Sequence, residues 1–130
     1  MKTIKTAVLG YGYWGPNIVR NLNKLNGAEI KYIVDLDQGK RNQASEDYPS
    51  IEVTPDTEGI LNNPDIDALI IATPPSTHFE LASKALTNGK HVLIEKPIAQ
   101  TSKDSQKLID LAKNNDLILM VDHTFIYSGA

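Results

Sequence analysis

The stretch Ile4-Lys5-Thr6-Ala7-Val8-Leu9-Gly10-Tyr11-Gly12-Tyr13-Trp14-Gly15 joins an apolar run to a G-x-G-x-x-G, and Trp14, Ile18, Leu22 and Leu25 then recur every three or four residues. The run predicts a strand over residues 4–9, and the recurrence predicts a helix over 14–25 whose apolar stripe faces a sheet. Pro16 suits the first turn of that helix. A strand, a glycine turn and a helix in direct succession open a β-α-β unit.

Further apolar runs at 30–34, 51–53, 68–72, 91–94 and 117–121 alternate with polar stretches of helical spacing, the alternation a parallel sheet requires. Four of the runs are nearly unbroken, which fits strands covered by helices on both faces. Phe79, Ala82, Ala85 and Leu86 form a second stripe, and Leu108, Leu111 and Ala112 a third. Ser76 and either Thr101 or Ser102 are the expected caps. Asn88-Gly89 and Asn114-Asn115 are the expected helix ends, because these residues tolerate the left-handed conformation. Between Gln38 and Pro49 only Ala44 and Tyr48 offer apolar contacts, so a helix there is expected to be exposed. The reading is an α/β, three-layer, doubly wound Rossmann sheet of strand order 3-2-1-4-5-6 over residues 1–121, with 122–130 as an exit segment toward a further domain.

The chain has 130 residues, 41% hydrophobic and 22% charged, with a formal net charge of -3. This is ordinary for a soluble domain and offers no basic field for nucleic acid. There is no cysteine, which excludes disulfides and thiolate chemistry. No segment approaches the roughly 20 apolar residues of a membrane span, and Lys2 and Lys5 interrupt any leader-like run. A cytoplasmic protein without a membrane partner is the expectation.

Placed between strand and helix, the three glycines have separate duties: the tight turn, the close approach of a diphosphate to bare backbone, and close helix packing. The helix N-terminus then supplies N–H groups and a positive dipole end for the phosphates. Asp35 ends the second strand near the spacing expected for a carboxylate that accepts the adenosine ribose hydroxyls and repels a 2′-phosphate, so NAD is favoured over NADP. Asp37 is the better helix cap, and Lys40 and Arg41 lie close enough to weigh against that cofactor preference. Gly10, Gly12, Tyr13, Trp14, Gly15 and Asp35 are the candidate cofactor residues, with Trp14 serving either to fill the core or to cover the dinucleotide.

A second constellation stands at two later strand ends: Ala72-Thr73-Pro74-Pro75-Ser76-Thr77-His78 and Glu95-Lys96-Pro97. The edge where strand order reverses is where ligands bind in such sheets. With the glycine turn and Asp35, these motifs resemble the Gfo/Idh/MocA family of NAD(P)-dependent oxidoreductases over essentially the whole chain. The resemblance implies that Lys96 sits beside the nicotinamide ribose and the substrate, that the bond before Pro97 is cis, and that Thr73, Pro74 and His78 line the nicotinamide side with Glu95 close by. An ammonium there can help place the substrate oxygen and stabilise its developing negative charge. His78 has an equally good reading as a partly buried structural polar residue, His91 reads as structural, and the role of His123 is open. No three residues have metal-ligand spacing.

Residues 12–17 with His123-Thr124-Phe125 most resemble family members that oxidise nucleotide-linked amino sugars. The family carries a second α/β domain with its proton-transfer residues, so the 130-residue chain is expected to bind NAD yet turn over a sugar, nucleotide sugar or cyclitol negligibly. Apolar surface around residues 125–127 is expected to favour a homo-oligomer. Two other classes compete: a stand-alone dinucleotide-binding regulatory module, which has no need of Lys96, and a methyltransferase using S-adenosylmethionine, in which Glu95-Lys96-Pro97 has no part.

Overall fold

The computed structural model describes residues 2–122; the expectations for His123, for residues 125–127 and for the exit segment beyond Asp122 lie outside them. Six strands, β1 (Ile4–Leu9), β2 (Ala28–Val34), β3 (Glu52–Thr54), β4 (Ala68–Ile71), β5 (His91–Glu95) and β6 (Leu119–Asp122), pair in parallel. Their order is β3-β2-β1-β4-β5-β6, as expected. The connections carry α1 (Gly15–Leu22), α2 (Gln38–Asp47), α3 (Thr57–Leu61), α4 (His78–Thr87) and α5 (Ser102–Asn114).

Strand side chains alternate between two separate cores, which is why the apolar runs are unbroken. Ala7 and Leu9 of β1, with Leu69 and Ile71 of β4, pack into one core together with Leu61, Ala82, Leu86 and Leu108 from α3, α4 and α5. Val8 and Ile70 point the other way, into a core closed by Val19 of α1 and Ala44 of α2. The sheet is thus the middle of three layers.

Four local expectations are corrected. Helix α1 stops at Leu22, where the Asn23 N–H bonds back to the Val19 carbonyl. Its buried centre is Val19, while Trp14 is 41% and Leu25 57% exposed, so neither end of the predicted stripe is core. Helix α3 carried too few residues to show a period. It is capped by Asp56, which accepts from the Gly59 N–H at 2.9 Å, and it buries Ile60 and Leu61. Ser76 caps nothing, because Pro75–Thr77 form a 3-10 turn ahead of α4, whose start has no side-chain cap. The left-handed residue after α5 is Asp116, at φ 52°, in place of the Asn pair, whereas Gly89 at φ 79° closes α4 as expected. Thr101 caps α5 and Asp37 caps α2, each accepting a backbone N–H.

Truncating Leu86, which is fully buried between α4 and the sheet, is expected to lower the unfolding free energy by about 2–5 kcal/mol. Leu25→Ala should cost under about 0.5 kcal/mol. Urea denaturation of both variants checks this, and equal losses would mean that α1 packs through Leu25 after all.

Candidate active site

The end of β1 is stitched to both neighbouring strands. Gly10 N–H donates to the Val34 carbonyl at 2.7 Å, and Ala72 N–H donates to the Leu9 carbonyl at 2.8 Å. Gly10 adopts φ 100°, and a Cβ there would lie 2.7 Å from the Ala72 oxygen, so the turn is open to glycine alone. A Cβ on Gly15 would collide with the Gly10 carbonyl. Gly12 differs: its Cβ direction is open, with Lys40 Nζ the nearest atom at 3.7 Å. Two glycines therefore serve the turn itself, and the third leaves bare backbone facing a cleft.

That cleft, about 700 Å³, runs along the carboxyl ends of β1, β2 and β4. Gly10, Gly12, Tyr13, Trp14, Asp35, Thr73 and Pro74 all line it. The N–H groups of the first turn of α1 have no intrahelical partners. No side chain caps them, and that turn holds no acidic residue. Tyr13 and Trp14 meet edge to face, their ring centroids 5.0 Å apart, and form an exposed aromatic rim.

Asp35 lines the cleft beside the glycine turn. Its Oδ2 accepts the Tyr11 N–H at 2.8 Å and its Oδ1 accepts the Asp37 N–H at 2.9 Å. Each oxygen has a further lone pair for a ligand hydroxyl. The carboxylate is thereby held in register with the glycine turn. Lys40 also lines the cleft, but Arg41 does not: its guanidinium donates to the carbonyls of Asp35 and Leu36 and to Gln38 Oε1.

On the β4 side, the Thr77 hydroxyl donates to the Pro74 carbonyl at 2.6 Å. The Thr73 hydroxyl, 2.6 Å away, therefore donates to Thr77 Oγ1. His78 does not reach the cleft surface. It is fully buried, with Nδ1 2.6 Å from the Pro97 carbonyl oxygen and Nε2 2.8 Å from the Thr73 carbonyl oxygen. The imidazole ties the loop after β4 to the loop after β5 from beneath the cleft wall.

Glu95 and Lys96 also lie beyond the cleft lining. Lys96 is exposed at the end of β5, and the Lys96–Pro97 peptide is cis. Glu95 is buried and faces Asp122 across the β5–β6 register, and among the described residues its Oε1 has no hydrogen-bond partner. Burial first, and then the neighbouring Asp122 carboxylate, push its carboxyl up to about 7, against the pull of the Lys96 N–H and ammonium.

Tyr11 is the residue the sequence reading passed over. Its side chain is buried below the glycine turn, and its hydroxyl donates to Asp47 Oδ2 at 2.6 Å, anchoring the turn to α2. Leu36, Thr57, Thr77, Glu80 and Leu81 also line the cleft. The pairing of β4 with β1 brings Thr77, Glu80 and Leu81 there, and of the two helix residues Glu80 and Leu81 no spacing in the sequence gave a sign. Open backbone at Gly12, an uncapped helix start and an outward carboxylate at Asp35 fit a dinucleotide lying across the reversal point of the sheet.

The signature of an oxidoreductase family with an NAD-binding Rossmann fold matches residues 4–123. The chain is similar to inositol 2-dehydrogenase of Pseudarthrobacter chlorophenolicus, at 33% identity over 110 residues that make up 84% of this chain and 33% of that protein. It is also similar to scyllo-inositol 2-dehydrogenase (NADP(+)) IolW of Bacillus subtilis, at 32% identity, covering 93% of this chain and 33% of that one. Among solved structures, an NAD-binding protein from Listeria innocua superposes with a TM-score of 0.90 at 32% identity, over 97% of this chain and 37% of the other. The chain spans about a third of the length of these relatives.

The raised Glu95 carboxyl gives a signed pH effect. Between its ordinary value of 4.5 and about 7, the folded state holds a proton that the unfolded state has released. Its contribution to stability is therefore present below about 4.5 and is lost as pH rises through 7. Glu95→Gln should gain stability over the wild type on going from about pH 5 to about pH 8, by on the order of 2 kcal/mol. Urea unfolding at both pH values checks this, and parallel behaviour of the two proteins would refute the burial of an ionisable Glu95.

Proposed function

The chain belongs to the Gfo/Idh/MocA oxidoreductase family with its NAD-binding Rossmann fold, and on that premise we propose that it is the dinucleotide half of a dehydrogenase acting on a hydroxyl of a sugar or cyclitol, with NAD preferred to NADP. The observation that carries this reading is the Asp35 carboxylate, held by the Tyr11 and Asp37 N–H groups on the cleft wall. From there it can accept both adenosine ribose hydroxyls, and its charge opposes a 2′-phosphate. Bound NAD would supply the hydride acceptor.

Each remaining duty falls to this chain's own side chains. Gly12 and the start of α1 hold the diphosphate by backbone N–H groups. Thr73 and Pro74 line the nicotinamide end, and His78 holds their loop against that of Pro97. Lys96, exposed on the loop that His78 ties to that end, is the catalytic residue of the proposal: its ammonium places the substrate oxygen and stabilises the negative charge that forms there as the hydroxyl proton passes to a base of the second domain, charge that is drawn into the C=O bond when hydride leaves.

Inositol dehydrogenases among the relatives support a polyhydroxylated ring as substrate. They favour a free cyclitol or sugar over the nucleotide-linked amino sugar suggested by residues 12–17, since those residues lie on the cofactor side. Among the described residues no helix is long and apolar enough to cross a membrane.

Calorimetric titration with NAD tests the reading. Asp35→Ala should weaken binding by about 1–3 kcal/mol, as for lost hydrogen bonds to a charged group, and should narrow the gap between NAD and NADP. Undiminished NAD affinity in that variant would remove Asp35 from the site.

A further inference from the structure

The cleft has an electrostatic problem that the glycine turn does not solve. Three of its lining residues, Asp35, Asp37 and Glu80, are acidic, and a dinucleotide brings two more negative charges on its diphosphate. Against these the start of α1 offers only about half a unit of positive charge. Among the described lining residues Lys40 is the one cation.

Its position matches the need. Lys40 lies in the first turn of α2, where the Asp37 carboxylate holds its backbone N–H at 2.9 Å, and its ammonium stands over Gly12, 3.7 Å from where a Cβ on that glycine would lie. That is the open face of the turn, where backbone is bare for phosphate oxygens. Among the described residues Lys40 enters no ion pair, despite the acids around it. The adjacent Arg41 is committed to carbonyls of its own loop and to Gln38 and is not available for this duty.

We propose that Lys40 is the counter-charge of the cofactor's diphosphate, reaching from α2 across to the glycine turn and closing the adenosine half of the cleft over the ligand. This rests on the dinucleotide reading above and adds a side-chain contact to a phosphate site otherwise built from backbone. An ammonium binds phosphate oxygen as a point charge, so the same group could serve a 2′-phosphate. Its place over Gly12, on the turn itself, assigns it to the diphosphate.

Titrating wild type, Lys40→Ala and Lys40→Arg with adenosine, ADP, NAD and NADP, at low and at high salt, decides the matter. Lys40→Ala should bind ADP and NAD about 10-fold more weakly, the effect of losing a charged hydrogen bond. Its adenosine affinity should be unchanged and its salt dependence flatter, and Lys40→Arg should recover most of the loss. Equal ADP affinity in wild type and Lys40→Ala overturns the assignment. A loss confined to NADP also overturns it, by moving the ammonium to the 2′-phosphate. Wild-type protein that binds none of the four sinks the dinucleotide reading along with Lys40, whereas wild-type NAD binding with an indifferent Lys40→Ala sinks Lys40's role alone.

Discussion

At Gly10 the central strand of the sheet must turn within van der Waals contact of its neighbour's backbone, and everything at the ligand edge follows from that constraint. The residue takes a left-handed φ with its Cα against the Ala72 carbonyl, while its N–H continues the pairing of β1 with β2. Gly15 in turn lies against the Gly10 carbonyl, which sets the start of α1 directly above the end of β1. Strand order reverses at β1, with β2 on one side and β4 on the other. The uncapped end of α1 therefore opens on a crevice that the sheet's own topology creates.

Charge is distributed unevenly along that crevice. The β2 side carries Asp35 and Asp37 with Lys40 between them and the glycine turn, whereas the β4 side presents the hydroxyls of Thr73 and Thr77 beside Pro74. Behind the β4 side lies a layer outside the cleft lining: His78 between the Thr73 and Pro97 carbonyls, and Glu95 facing Asp122. A buried ionisable carboxyl is a costly feature. Here it sits one residue from Lys96, so the backbone that bears the lysine is also the backbone that solvates Glu95 through the Lys96 N–H.

Much of this was legible in order along the chain. The six apolar runs appear as six strands, and Asp37 and Thr101 are the caps their positions announced. Where the reading missed, local pattern met a tertiary fact. Leu25 keeps the period of α1 but falls after the helix has closed at Leu22. Helix α3 has five residues, fewer than two turns, so its burial of Ile60 and Leu61 had no periodic trace. His78, read as either a ligand contact or a structural residue, had no neighbour in sequence to decide between them, because one of its partners, Pro97, lies nineteen residues away.

By itself, then, the sequence determined the sheet, its helical cover and the presence of a glycine turn followed by a strand-ending acid, because hydrophobic period and the steric freedom of glycine act over a few residues. Only the tertiary structure decided which glycine leaves bare backbone toward the cleft, that Asp35 is clamped by the Tyr11 N–H, that Lys40 and not Arg41 overhangs the turn, and that His78 lies beneath the cleft instead of within it. Those are relations between segments brought together by strand pairing, and the direction of a side chain across such a contact is set by packing that no single stretch of chain contains.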